Sequence, residues 1–514
     1  MGIELELPAH FNAADYFVDR NIREGRGDKV AVLCEDRSLT YAGVQAGMNR
    51  IGNGLKGLGV RMEDRVALLL LDTEIYPQAF FGAIKAGAVP VCLNTLMRSK
   101  DYLYFLNDSR ARVLIIDAAL LEVFEPIRHD LRFLEHTVVV RGSVPEWAMS
   151  LEQLIEDRST QLEAAPTGPD DSCFWLYSSG STGVPKGAIH LQHDMVYCAQ
   201  TYGAQVLGVR EDDICFSAAK LFFAYGLGNG LYFPFSVGAT VAYMPDRPTP
   251  ASVYDTIRRH RPTIYFGVPT LYGSMLQAEG SLQGVRLCVS AGEALPADIL
   301  RRWVERHQVQ IIDGIGSTEI SHIFISNRPD NIRPGSSGKL VPGYEARIVG
   351  ENFQDVAEGE IGTLLIKGDS ICAAYWNKHE KSKSTFLGNW LNTDDKYHGD
   401  EEGYYFYVGR SNDMLKVGGI WVSPVEVEAC LISHPAVLEC AVVGATDKEG
   451  LVKSKAFVVL KPGYSPDAPM EAELKSYVKN ELAHYKFPQW IESLHQLPKT
   501  ATGKVKRYEL RQAA

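Results

Sequence analysis

Four short stretches carry side chains that can do chemistry. The first, YSSGSTGVPKG, spans Tyr177–Gly187. Glycines free backbone N–H groups to converge on phosphate oxygens, the Ser and Thr hydroxyls add donors, and Lys186 adds charge. It is not a Walker loop, G-x-x-x-x-G-K-[ST], because Lys186 precedes Gly187 and is wrongly spaced from Gly180. The bland alternative is a Gly/Ser surface loop. The second stretch, DGIGSTE, spans Asp313–Glu319. Ser317 and Thr318 can donate to phosphate, and Glu319 can hold Mg²⁺, which takes one or two carboxylates beside phosphate oxygens. The same residues also suit a helix N-cap with an acid in the first turn. The third, SAGEALP at Ser290–Pro296, reads by itself as an ordinary strand-to-helix turn. The fourth, LPKTATGKVKR at Leu497–Arg507, sets a glycine beside Lys504. That makes an exposed, mobile lysine or a solvated basic tail.

Strands and helices must carry these stretches. Phe174–Tyr177 is apolar and runs into the first loop, which places the loop at a strand end. Earlier in the chain, Val44, Met48, Ile51, Leu55 and Leu58 recur at helical spacing, and Gly59 stops them. Val66–Leu71, a helix over Ile75–Ala86 and Val89–Leu93 form a βαβ unit, with further strands at Val113–Ile116 and Thr137–Val140. The alternation restarts after the loop, with strands at Thr240–Tyr243, Ile264–Gly267, Leu287–Ser290 and Gln310–Asp313. Two such series predict two doubly wound α/β subdomains. Pro334–Arg410 reads as a β-rich subdomain. Beyond it, SPVE at Ser423–Glu426 has a capping-box pattern, and strands Leu438–Val443 and Ser454–Leu460 with a helix over Glu471–Leu482 predict a small α+β domain. The expected domains are 1–411 and 412–514.

Bulk composition narrows the function classes. The chain has 514 residues, enough at roughly 100–200 per domain for one large domain plus a smaller one. Hydrophobic content of 46% and charged content of 22% are those of a globular protein. A net charge of −11 argues against nucleic acid or an anionic membrane as partner, so an anionic ligand needs local positive features. Nine scattered cysteines without C-x-x-C argue against a disulfide framework or a zinc site. No basic n-region, myristoylation pattern or membrane-length apolar run occurs, and a cytoplasmic location is expected.

Taken in order, YSSGSTGVPKG, GIGSTE, YHGDEEGYYFYVGR and PKTATGK resemble the adenylate-forming superfamily of acyl- and aryl-CoA synthetases, non-ribosomal adenylation domains and firefly luciferase. The resemblance covers essentially the whole chain. FSAAKLFFAYGLGNGLYFPFSVGAT, Phe216–Thr240, with DGIGSTEISHIFISN is similar more narrowly to benzoate-CoA ligases and their hydroxybenzoate relatives. It implies α/β architecture: a large N-terminal domain of two doubly wound subdomains plus a β-rich one, and a small mobile C-terminal domain. It implies ATP, Mg²⁺, coenzyme A and an aromatic carboxylate as ligands. The match assigns Ser178, Ser179, Gly180, Ser181, Thr182, Gly183 and Lys186 to the β- and γ-phosphates. It assigns Thr318 to the α-phosphate and Glu319 to the metal. Ala291, Gly292 and Glu293 with Asp313 and Gly314 would border adenine. Asp395 and Arg410 would hold the ribose, although Asp394 stands where relatives often have glycine, so this assignment can be off by one. Ala224, Tyr225, Gly316 and His322 would surround the aryl group, with His322 either packing or anchoring. Lys504 would bridge carboxylate and α-phosphate, Asn412 would be the hinge, and Lys416, Gly418 and Gly419 would face coenzyme A. A homodimer is the family-level expectation, and a lysine acetyltransferase acting on Lys504 would silence the first step.

Rivals stay open at this point. A medium-chain acyl-CoA ligase shares every motif. An adenylation domain is disfavoured by the lack of a carrier domain after Ala514, and a luciferase-type oxygenase shares the first step. A non-catalytic nucleotide-binding module is disfavoured by Glu319 and Lys504 together. The ring substituent is undetermined.

Overall fold

The computed structural model describes residues 5–178, 184–410, 413–417, 420–448, 451–483, 486–499 and 505–512, with the backbone alone at 416, 420 and 421. Ser179, Gly180, Ser181, Thr182, Gly183, Asn412, Gly418, Gly419 and Lys504 therefore lie outside the described residues, as does the side chain of Lys416.

The expected α/β series form two large sheets. The first has eight strands in the order Ala374–Tyr375, Lys186–Leu191, Ser172–Ser178, Val89–Cys92, Arg65–Leu69, Val113–Asp117, His136–Val140 and Met149–Ser150. Its central pairs are parallel, and Val89–Cys92 and Val113–Asp117 are buried throughout, which explains their unbroken apolar runs. The helix Tyr41–Gly57 buries Val44, Met48, Ile51 and Leu55 as their spacing predicts, and Thr40 caps it by accepting from Gly43 N–H. It packs backbone to backbone on the helix Ile75–Lys85. A Cβ at Gly52 would stand 2.9 Å from the Gly82 carbonyl, and one at Gly82 2.8 Å from that of Met48.

The second sheet has nine strands: Lys339–Leu340, Ile323–Ser326, Ile311–Gly316, Leu287–Ser290, Ile264–Gly267, Ile214–Ser217, Thr240–Tyr243, Val30–Cys34 and Arg37–Thr40. Chain order does not separate the two sheets. The hairpin Val30–Thr40 precedes the whole first sheet yet pairs with Thr240–Tyr243, Val32 opposite Val241. It covers the edge of a parallel sheet that would otherwise lie open.

The β-rich subdomain is an antiparallel sheet of Glu345–Val349, Gly362–Lys367, Trp390–Gly399, Phe386–Leu387 and Tyr405–Arg410. After it, Val437–Thr446, Val452–Leu460 and Trp490–Ser493 form a separate sheet covered by helices Pro424–Ser433 and Ala468–Glu481. Val427, Leu431, Val442, Val458, Leu474 and Val478 make its core. Half of the predicted capping box forms. Ser423 Oγ accepts from Glu426 N–H, but the Glu426 carboxylate takes Lys486 at 2.6 and 2.7 Å.

Candidate active site

Three pieces of backbone meet at one place. Strand Ser172–Ser178 returns as Lys186–Leu191, antiparallel, with Ser178 opposite Lys186. The first motif thus joins two antiparallel strands, whereas a Walker loop leads from strand to helix. From the other sheet, Ile311–Gly316 ends in a single tight turn, Thr318–Ile320, closed by Ser321 at φ 68°. Ser317 stands at the N-cap position of this one turn, with Glu319 in it, but makes no capping bond through its side chain, and the chain then runs back as strand Ile323–Ser326, so no longer helix follows GIGSTE. The third piece, Ala374–Tyr375, leaves the β-rich region to pair with Lys186–Leu191, Tyr375 opposite Ala188.

Glu319 is the common partner. Its Oε1 accepts from Ser178 Oγ at 3.0 Å and from the Tyr375 hydroxyl at 2.7 Å. Lys186 Nζ lies 3.3 Å from that hydroxyl and 4.3 Å from the ring centroid. Burial alone would raise the Glu319 carboxyl, but the Tyr375 hydroxyl and the Lys186 charge hold it below its usual range. Burial lowers the Lys186 ammonium, against the pull of Glu319. Sequence reasoning missed Tyr375, which two residues of strand in a Gly-rich region did not flag. It also missed His190, whose Nε2–H donates to the Thr318 carbonyl at 2.8 Å. Nδ1 of His190 faces Asp194 at 2.7 Å, and the ring stacks on Phe174 at 4.7 Å. The signal was a histidine and an aspartate four residues apart.

Asp395 faces Arg410 across adjacent strands at 2.9 Å. Asp394 adopts φ 59°, a backbone region that glycine enters without strain, and pairs with Lys381 at 3.6 Å. The ion pair with Arg410 thus falls on Asp395, not its neighbour. Glu319 and Asp394 both act on Arg410 and Lys186 electrostatically, so this strand pair adjoins the Glu319 cluster.

The third motif lies against Asp313. Strand Leu287–Ser290 sets Ser290 opposite Asp313, and Gly292 turns the chain at φ 92°. Ala291 is buried, and Glu293 accepts from Thr270 Oγ1 at 2.9 Å. Asp313 is buried, and burial pushes its carboxyl up to about 7. Gly314 admits the neighbouring strand, since a Cβ there would stand 2.8 Å from the Ile325 carbonyl.

The predicted aryl residues also converge. Ala224 and Tyr225 open the helix Ala224–Leu227 and stay partly exposed. The Tyr225 ring lies 5.6 Å from that of His322, and its hydroxyl donates to the Val289 carbonyl at 3.0 Å. A Cβ at Gly316 would come 2.5 Å from the His322 carbonyl oxygen. His322 Nε2 has two acceptors, the Tyr225 carbonyl at 3.3 Å and Asn229 Oδ1 at 3.1 Å, so Nε2 carries the proton. Burial pushes the imidazole down to about 3, so it is neutral and Nδ1 is a bare acceptor, with no partner among the described residues. Asn229, fully buried, is a further residue that nothing in the sequence flagged. Of the coenzyme-A-side residues, only the backbone of Lys416 is described, in the hairpin Leu415–Val422 opposite Trp421.

No group of three or more His, Cys, Asp or Glu side chains able to hold a metal occurs among the described residues, and no described helix is long and apolar enough to cross a membrane.

Two α/β sheets that bring Ser178 and Lys186 to Glu319, with the Asp395–Arg410 ion pair adjoining, are the setting of an enzyme class to which the chain's relatives assign it. The chain belongs to the AMP-binding enzyme family, which matches residues 18–376, and the C-terminal domain of AMP-binding enzymes matches residues 426–504. A benzoate–CoA ligase of Thauera aromatica is 51% identical over 99% of this chain and 97% of its own. A 4-hydroxybenzoate–CoA/benzoate–CoA ligase of Rhodopseudomonas palustris is 46% identical over 98% of this chain and 94% of its own. The crystal structure of an anthranilate CoA ligase with anthranoyl-AMP superposes with a TM-score of 0.96 at 47% identity, covering 99% of this chain and 98% of that one.

Proposed function

We propose that this chain is an AMP-forming aryl-CoA ligase. It joins a benzoate-type carboxylate to the α-phosphate of ATP, releasing diphosphate, and passes the aroyl group from the adenylate to the thiol of coenzyme A, releasing AMP. The observation that carries the reading is the convergence of Ser178, Lys186, Glu319 and Tyr375 beside Asp395–Arg410, within a chain alike over its whole length to aryl-CoA ligases.

The difficulty of the first step is that an anion must approach a polyanion. One unit repulsion at 4 Å is worth about 4 kcal/mol at an effective dielectric near 20, roughly three decades in rate. In this reading Ser178–Gly183 and Lys186 grip the β- and γ-phosphates as leaving group, so Lys186 is an anchor. Thr318, its carbonyl held by His190, donates to the α-phosphate. Asp395 and Arg410 take the ribose, and Ala291–Glu293 with Asp313 and Gly314 border adenine. One carboxylate beside a phosphate grip suits Mg²⁺. Glu319 would hold it, and the ion would neutralise phosphate charge there. Lys504 bridges the two reacting anions. The unit 412–514 then turns about Asn412, bringing the hairpin with Lys416, Gly418 and Gly419 to the site, where glycines let backbone approach the pantetheine arm. The same reading includes a cytoplasmic homodimer and acetylation of Lys504 as an off-switch.

Purified protein with ATP, Mg²⁺ and coenzyme A, supplied in turn with benzoate, hydroxybenzoates, aminobenzoates and hexanoate, tests this by mass spectrometry. Aryl-dependent AMP and aroyl-CoA are expected. Turnover of hexanoate beside inert aryl acids refutes the aryl reading.

A further inference from the structure

Tyr375 stands between the two opposite charges of the site. Its O–H donates to Glu319 Oε1 at 2.7 Å, and its oxygen accepts from Lys186 Nζ at 3.3 Å. The donors run one way, from ammonium to phenol to carboxylate, an arrangement in which each bond polarises the next. Lys186 and Glu319 themselves make no direct ion pair among the described residues, although each feels the other's charge. Ser178 Oγ donates to the same oxygen, Oε1, so both hydroxyl donors spare Oε2. The phenol cannot drift. Tyr375 is held in a strand beside Lys186–Leu191, its ring packs on Phe386 at 5.2 Å, and the segment just before it clamps the turn, through the Cys372 N–H to the Glu319 carbonyl at 2.8 Å and the Ser370 hydroxyl to the Ile320 carbonyl at 2.9 Å.

We propose that Tyr375 is a positioning residue of the adenylation step: its hydroxyl keeps Lys186 and Glu319 from closing into a direct ion pair and leaves Glu319 one oxygen with which to take a divalent cation. This rests on the function proposed above. Without the hydroxyl, a lysine and a carboxylate a few ångströms apart in a partly buried site collapse onto each other, and the pair competes with both triphosphate and metal. The effect belongs to the first half-reaction, because only that step handles the triphosphate.

Tyr375→Phe keeps the ring beneath Lys186 and against Phe386 and removes only the O–H. Mn²⁺ serves as probe, its binding to enzyme plus ATP followed by electron paramagnetic resonance. Mn²⁺ affinity is expected to fall on the order of tenfold, as for loss of one hydrogen bond to a charged group. Conversion of supplied aroyl-AMP to thioester should fall far less than AMP formation from the acid. In a double variant with Glu319→Gln the two losses should be non-additive, since both act on one carboxylate. Unchanged Mn²⁺ affinity in Tyr375→Phe, or additive losses, overturns the proposal. If the wild-type enzyme activates no aryl acid at all, the functional reading falls instead, and this one with it.

Discussion

The carboxylate of Asp395 and the guanidinium of Arg410 meet at 2.9 Å across two antiparallel strands, the first side chain 8% exposed and the second 57%. A nearly buried acid is thus held by a cation that still faces solvent. Asp395 also raises the Arg410 guanidinium above its usual range. With ribose as its partner, Asp395→Asn should raise the KM for ATP by about tenfold or more, the scale of a hydrogen bond to a charged group. The KM for the aryl acid should hold. Steady-state kinetics with each substrate varied in turn decides this, and equal effects on both would remove the ribose assignment.

In the proposed reading the aryl group lies against His322, and the neutral imidazole, whose buried Nδ1 has no partner among the described residues, would offer it an acceptor. A ring that donates an N–H or O–H to it gains over plain benzoate, and a site built to bond a substituent discriminates far more strongly than an apolar one. The expected order of kcat/KM places aminobenzoate or hydroxybenzoate with the matching ring position above benzoate. His322→Phe should erase that preference while leaving benzoate turnover within a few-fold. A preference that survives in His322→Phe would return the histidine to a packing role.

Burial holds the Asp313 carboxyl at about 7, against an ordinary value of 3.8. A raised folded-state value means the folded chain keeps its proton longer. The stability tied to this group is complete below pH about 4 and is lost as pH rises through about 7. The loss has an upper bound of about 4 kcal/mol at 1.36 kcal/mol per pH unit. Asp313→Asn removes the slope. The Tm of the variant relative to wild type, without nucleotide, should therefore rise between pH 5 and pH 8. A difference constant across that range would show that Asp313 ionises freely.

Residues flanking Lys504 are tied down on both sides. Lys499 Nζ reaches Glu439 at 2.8 Å, and Arg507 makes a forked pair with Glu428, including one contact of 2.8 Å. Glu428 also accepts from Val442 N–H at 2.6 Å in the core of the small domain. Lys504→Ala should abolish diphosphate release yet spare conversion of supplied aroyl-AMP to thioester. Equal loss of both half-reactions would deny the lysine a role confined to adenylation. Arg507→Met leaves a buried carboxylate without its partner and should destabilise the small domain by about 3–5 kcal/mol. Hydrogen exchange confined to residues 426–512 would report it.

How much of this could be read without coordinates depends on range. Helix Tyr41–Gly57 and strands Thr240–Tyr243, Ile264–Gly267 and Leu287–Ser290 were readable because periodicity and unbroken apolar runs are local signals of burial. The motifs stood out because glycines, hydroxyls and a lysine crowded together in sequence are the pattern that a phosphate grip would need. Tyr375 and Asn229 were not readable, because each acts on a residue far along the chain, and for His190 only the local spacing to Asp194 was on view, not its bond to Thr318.

The amino-acid sequence by itself determined the chemistry on offer: a carboxylate next to two hydroxyls, a hydroxyl- and glycine-rich loop with one lysine, and an Asp and an Arg in the β-rich stretch. Tertiary structure decided which of these share a site, and in which ionic state. Only the folded chain sets the early hairpin Val30–Thr40 on the later sheet, places a phenol between Lys186 and Glu319, and buries Asp313 and His322 until their protonation changes. The reason is physical. Periodicity reports a residue's own burial, whereas ion pairing, hydrogen-bond partners and desolvation depend on neighbours that only the packing of distant segments supplies.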